Sequence, residues 1–179
     1  SRAGTRASQT VTARSITVTP VAQGTTTITA SGKKSRGVRA TSLTATGGTL
    51  TIAESGSLTI ATSFANSGTI ANSGTLTNTL TDESGMVLGE GYSQTGELIN
   101  AEGAALVIES SLSTLDGTLT NKGTVTNKAD LTEATVALKN EGSLKNEGTL
   151  AVKDVENTGT IENTGTLIAG ETVTSLPGT

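Results

Sequence analysis

The hexad Asn-x-Gly-Thr-aliphatic-x constrains this chain more than any other feature. Asn66-Ser67-Gly68-Thr69-Ile70-Ala71 runs directly into Asn72-Ser73-Gly74-Thr75-Leu76-Thr77, and the doublet returns at Asn121 and Asn127, at Asn140 and Asn146, and at Asn157 and Asn163. The accompanying glycines are Gly68, Gly74, Gly123, Gly142, Gly148, Gly159 and Gly165. The apolar position continues beyond the clear doublets. It runs through Ile52, Leu58, Phe64, Ile70 and Leu76, slips through Leu88, Leu98 and Leu106, and resumes at Leu119, Val125, Leu131, Leu138, Leu144, Leu150, Val155, Ile161, Leu167 and Val173. A period of six scatters residues over different faces of a helix, and this much Gly and Thr is costly in one. Doublets recur about every 17 to 19 residues, a period typical of one coil of a solenoid.

Thr-aliphatic-x reads as a short strand, because β-branched Thr favours the pleated backbone and alternation sends the aliphatic side chain inward. One inward residue per side is enough for a narrow triangular coil of roughly 18 residues. Asn-x-Gly is expected to turn the corner, since both residues tolerate the left-handed conformation. Stacked coils pair every strand with those above and below, and aligned Asn side chains can form amide ladders along the axis. The predicted fold is therefore all-β, a single-stranded β-solenoid or β-helix over residues 43–175. Residues 1–42 form an extended basic β segment and 176–179 a tail. The register is least defined between Asp82 and Leu112. About seven coils make a rod near 35 Å long.

Composition then removes most enzyme classes. The 179 residues include one Tyr, one Phe, no Trp, no Cys and no His. That leaves no Cys–His or Ser–His–Asp nucleophile system, no ordinary zinc site and no disulfide. A sugar-degrading site normally adds aromatic platforms to its carboxylates, whereas this chain has only Phe64 and Tyr92. The acids also lack the paired Gly and Asp of the nonapeptide calcium repeat. The reading is a protein with no enzymatic role and no cofactor or metal. No apolar run approaches the roughly 20 residues that cross a bilayer. The start at Ser1 reads as processed or truncated and predicts loss of a leader.

Charge is segregated along the chain. Residues 1–53 contain no acid but carry Arg2, Arg6, Arg14, Lys33, Lys34, Arg36 and Arg39. From Glu54 to Asn121 every charge is negative, and lysines mix with acids only from Lys122 onward. Nucleic acid is a poor partner for sparse cations with no aromatic to stack on a base. A second copy of the chain fits the map better, because opposite patches steer and register association. The basic segment reads as strands around Gln9–Thr19 and Thr25–Ala30 with a loop over Ser31–Gly37. It either caps the solenoid or adds to a neighbour.

The Asn-Ser-Gly-Thr-Ile-Ala-Asn-Ser-Gly-Thr-Leu and Asn-Thr-Gly-Thr-Ile-Glu-Asn-Thr-Gly-Thr-Leu runs resemble the repeats of large bacterial surface proteins of the filamentous haemagglutinin and autotransporter-passenger type. The resemblance implies a secreted or surface-exposed β-helix and supplies no catalytic residues. Such passengers are usually much longer, so a short chain reaches length by self-assembly. The expected function is thus a structural subunit of an extracellular or cell-surface fibre, sheath or layer. It would stack head to tail, with the basic segment of one copy on the acidic coils of the next. The alternatives are a monomeric adhesin or stalk segment and an ice-binding solenoid. The ice-binding reading is suggested by Thr-x-Thr at 75–77, 118–120, 124–126 and 172–174 and weakened by Lys145, Ala151, Glu162 and Ile168 at equivalent positions. Leu176-Pro177-Gly178-Thr179 resembles a cleaved sortase signal, which would mean a cell-surface anchor, or simply ends the last strand.

Overall fold

The computed structural model describes residues 8–11, 16–18, 25–28, 38–45, 49–54, 56–66, 68–81 and 84–175. These residues contain strands, turns and bends and no helix. In chain order the strands are β1 (Ser8–Val11), β2 (Ile16–Val18), β3 (Thr25–Ile28), β4 (Val38–Ala45), β5 (Thr49–Ile52), β6 (Ser57–Asn66) and β7 (Thr69–Asn72). Then come β8 (Thr75–Asn78), β9 (Met86–Leu88), β10 (Tyr92–Gln94), β11 (Glu97–Asn100), β12 (Ala105–Ile108) and β13 (Gly117–Asn121). The last are β14 (Thr124–Asn127), β15 (Asp130–Asn140), β16 (Ser143–Asn146), β17 (Thr149–Asn157), β18 (Thr160–Asn163) and β19 (Thr166–Ser175). The hexads at Thr69, Thr75, Thr124, Ser143 and Thr160 become strands of four residues, each closed by Asn, whereas those at Thr149 and Thr166 open strands of nine and ten residues.

All pairings are parallel and join strands one coil apart, which makes the chain a β-solenoid. Three sheets form its sides. The first runs β1-β3-β5-β7-β10, the second β2-β4-β6-β8-β11-β13-β15-β17-β19, and the third β9-β12-β14-β16-β18. From Met86 the chain visits the third sheet at β9, the first at β10 and the second at β11, and beyond β10 its strands alternate between the third sheet and the second. The longer strands are bent. In β15, Leu131 lies opposite Leu150 and Leu138 lies opposite Leu119 and Val155, with register shifts between the two halves. Between Ser57 and Ser175 the chain crosses the second sheet seven times, enclosing about six turns of about 19 residues. The strands of the basic segment extend the same sheets, with β3 paired to β5 and β4 to β6.

The coils widen where the hexads slip. Leu76 to Leu98 and Leu98 to Leu119 are in-register neighbours separated by more than the 18 residues of a regular coil. The surplus lies in the corners 79–85, between β8 and β9, and 101–104, between β11 and β12, whereas the next such corner, between β13 and β14, takes only 122–123. Leu80 and Ala104 are buried in these longer corners, so the wider coils stay filled.

Each short strand turns two residues inward rather than the one expected. In Thr69-Ile70-Ala71-Asn72, Ile70 and Asn72 are buried while Thr69 is exposed, because residues two apart share a side of the pleat. The aliphatic file holds Leu58, Ile70, Leu76, Leu98, Leu106, Leu119, Val125, Leu131, Leu138, Leu144, Leu150 and Val155, all buried. Phe64, Ile161 and Leu167 pack against this core while remaining half-buried. Val173 lies opposite Val155 in the backbone register. Ile52 is buried but belongs to the other inward file, since it lies opposite Asn72 and it is Leu50 that lies opposite Ile70. Ile60 and Ile108 share that second file, opposite Asn78 and Asn127. Full burial of each such aliphatic side chain contributes about 1.5–3 kcal/mol, so many small contributions replace a large aromatic core.

Candidate functional site

The second inward file carries the polar interior. On the second side Asn78, Asn100, Asn121, Asn140 and Asn157 stack, each Nδ2 donating to the next Oδ1 at 2.9, 2.9, 2.8 and 2.7 Å. On the third side Asn127, Asn146 and Asn163 do the same at 2.8 and 2.7 Å. Below the last rung of each ladder, the second amide hydrogen reaches a carbonyl beyond the corner of the next coil, as in Asn140 to Thr160 at 3.0 Å and Asn146 to Thr166 at 2.9 Å. Within its own coil Asn121 Oδ1 accepts from Gly123 N–H. A buried amide is thereby paired on both sides, which is the condition for placing it in a core. Asn66 stands apart from the ladders: its Oδ1 accepts from Gly68 N–H at 3.0 Å. Asn78 and Asn100 escaped the hexad pattern, although Thr75-Leu76-Thr77-Asn78 has the form of Thr124-Val125-Thr126-Asn127.

The corner glycines have a different cause from the one expected. Among the described residues positive φ occurs at Gly85, Gly91, Gly103 and Gly117, and not at Gly74, Gly123, Gly142, Gly148, Gly159 or Gly165. At Gly142 a Cβ would sit 2.1 Å from the Gly123 carbonyl oxygen, and at Gly159 it would sit 2.0 Å from that of Gly142. Those same carbonyls accept N–H bonds from Ser143 and Thr160, both at 2.8 Å. Close stacking, not backbone handedness, excludes a side chain at these corners.

Outward charges pair along the axis. Lys139 lies within 3.5 Å of Glu141 and 3.9 Å of Glu156, Lys122 within 3.6 Å of Glu141, and Lys145 within 2.8 Å of Glu147. The hydrogen bond and charge of Glu147 raise the Lys145 pKa, and Lys145 lowers that of Glu147. These pairs are exposed and individually weak. Outward Thr files are broken, reading Thr126, Lys145, Glu162 and Thr120, Lys139, Glu156 from coil to coil. Of the basic residues, Arg39 lies in β4 opposite Thr59. Arg2, Arg6, Arg14, Lys33, Lys34 and Arg36 lie outside the described residues, as does the tail at 176–179.

Among the described residues, no further coil covers the last one. Ile161 and Leu167 are half-buried, whereas Leu144 and Leu150 one coil below are 1% exposed. Asn163 is exposed, and among the described residues its Nδ2 donates to Gly165 O alone, at 3.2 Å. It lacks the two acceptors in a following coil that Asn146 has.

No family model, curated protein or solved structure matches this chain.

Among the described residues no group of three or more acids is placed to hold a metal ion, and no helix is long and apolar enough to cross a membrane. A cavity of about 810 Å³ opens in the outer wall, lined by Phe64 of β6 and Val87 of β9.

Proposed function

We propose that the chain is the structural subunit of an extracellular or cell-surface fibre, sheath or layer built by end-to-end stacking of solenoids. The observation that carries this reading is the last described coil, which no other described coil covers. Its strand edges, half-buried Ile161 and Leu167, and Asn163, bonded to Asn146 below but to no described residue above, form a template that a further coil would complete. A second copy supplies such a coil at its own first strands, β1 and β2, which are the outermost members of the first and second sheets. A head-to-tail contact of this kind does not close on itself and therefore propagates.

Charge supports the same polarity. From Lys153 to Glu171 the chain carries one lysine against Asp154, Glu156, Glu162 and Glu171, whereas residues 1–53 carry seven cations and no acid. The basic segment of one copy thus meets the acidic coils of the next, and backbone pairing adds about 0.5–1.5 kcal/mol per hydrogen bond. The likeness of the hexads to the filamentous haemagglutinin and autotransporter type fits a surface location, with the β-solenoid architecture as its common ground.

Negative-stain electron microscopy at low and high salt tests the proposal. Filaments that shorten as salt rises, and that vanish when Lys33, Lys34, Arg36 and Arg39 are all replaced by Glu, are the expected result. Filaments that survive those replacements sink the charge contact, and discrete rods under every condition sink self-assembly. Rods would favour the second reading, a monomeric adhesin or stalk segment, for which the cavity beside Phe64 is the favouring observation.

A further inference from the structure

The third side of the solenoid is broken at one level. Residues 63–66 of β6 pair with 42–45 of β4, and Met86–Leu88 of β9 pair with 106–108 of β12, but β6 and β9 are not paired with each other. The other two sides are continuous at this height, through Ile70 opposite Tyr92 and Leu76 opposite Leu98. The break coincides with the extra residues 79–85, so the chain departs here from its own repeat. Such departures from internal consistency are where function is expected.

The break opens a crevice of about 810 Å³, within the range of small-ligand pockets. Phe64 exposes part of its ring to it, although the next four members of the same inward file, Met86, Leu106, Val125 and Leu144, are at most 1% exposed. Val87 is 41% exposed beside it. Around this apolar floor stand the carboxylates of Glu90 and Glu109, the amide of Asn66 and the hydroxyl of Ser111. Ser111 Oγ accepts the Glu90 N–H at 3.1 Å, tying two successive corners together. Glu109 lies 3.8 Å from Lys128, whereas among the described residues no cation pairs with Glu90. The lining spans the corners at 66–68, 89–91 and 109–111, two coil spacings or about 10 Å along the axis.

We propose that this crevice binds an amino-sugar oligosaccharide. A sugar ring offers an apolar C–H face to Phe64 and Val87 and hydroxyls to Asn66 and the unpaired strand edges. Its ammonium group answers the unpaired carboxylate of Glu90. Two carboxylates and one lysine exclude uronic or sulfated sugars by like-charge repulsion. A cationic peptide would satisfy Glu90 but has no need of the Phe64 ring, so the aromatic floor favours the sugar.

Phe64 and Tyr92 are the only aromatic residues, so each gives a single signal at the site. The test is titration of the whole chain, ring-labelled at Phe, with glucosamine tetramer. The expected result is a saturable shift of the Phe64 ring resonance and of the amides of Val87–Gly91. Glu90→Gln should weaken binding about tenfold, the loss of one charge pair. Phe64→Leu and, as a milder second variant, Val87→Ser should weaken it several-fold when read on the same amides. Cellotetraose should bind more weakly than glucosamine tetramer. Absence of a saturable shift up to about 10 mM, a concentration that detects even a Kd of several millimolar, overturns the proposal. So does equal binding of pentalysine with no dependence on Phe64, which would make the crevice a site for cationic peptide.

Discussion

Asn72 lies in register directly beyond Ile52, and its buried Oδ1 has no hydrogen-bond partner. In the ladders that oxygen accepts from an Asn one coil nearer the N-terminus, as Asn121 does from Asn100. Ile52 has no donor to give. Asn72 is held from the other side, by Nδ2 bonds to Glu97 O at 2.9 Å and Tyr92 Oη at 3.4 Å. Ile52→Asn should therefore extend the first side by one amide rung. Measured by urea unfolding, its cost should be smaller in the native background than in Asn72→Leu, with a coupling of about 1–3 kcal/mol. Equal costs in both backgrounds would mean that no rung forms.

The interior ladder rung should matter far more than the terminal one. Asn140→Ala leaves Asn121 Nδ2 without its acceptor at 2.8 Å and Asn157 Oδ1 without its donor at 2.7 Å. Unsatisfied buried groups of this kind cost about 1–3 kcal/mol each, so a loss of roughly 2–4 kcal/mol is expected. Asn163→Ala in the dispersed protein touches one interior partner and an exposed end, and should cost less than about 1 kcal/mol. A comparable loss at both positions would show that the ladder is not what stabilises the coils.

Two glycines separate sterics from backbone conformation. Gly142→Ala drives a Cβ to 2.1 Å from the Gly123 carbonyl and must force adjacent coils apart. Gly103 has open surroundings, with its nearest atom 4.0 Å from a built Cβ, but a φ of +75°. Gly103→Ala should cost about 1–2 kcal/mol, the penalty of the left-handed conformation. Gly142→Ala should cost clearly more. The ranking of their midpoints in thermal unfolding checks both causes.

Alkaline pH offers a further handle through the only tyrosine. Burial pushes the Tyr92 phenol up, opposed more weakly by the hydrogen bond from Asn72. A raised folded pKa favours the neutral phenol. Its contribution to stability is whole below the unfolded value of about 10 and is lost as pH climbs toward the folded one. Phenolate absorbance should stay absent in the folded protein at about pH 10.5 and emerge with unfolding. Tyr92→Phe should flatten this alkaline decline. A native protein that titrates near 10 would show Tyr92 to be open to water.

The sequence alone determined the solenoid, because the hexad is a local instruction repeated many times. Thr and an aliphatic residue make a strand, and Asn-x-Gly ends it. Stacking identical units also aligns Asn with Asn, so the ladder between Asn121 and Asn157 was implicit in the spacing. The tertiary structure decided what depends on neighbouring coils. It placed Asn inside beside the aliphatic file, since alternation sets only which residues share a side and not which side is interior. It gave the corner glycines their reason, a carbonyl one coil away that no reading along the chain can see. It also set where the repeat fails. Segments 79–85 and 101–104 are absorbed by burying Leu80 and Ala104, while the third side parts between Phe64 and Val87. That opening is a relation between residues more than twenty positions apart, so it exists only once the coils have stacked.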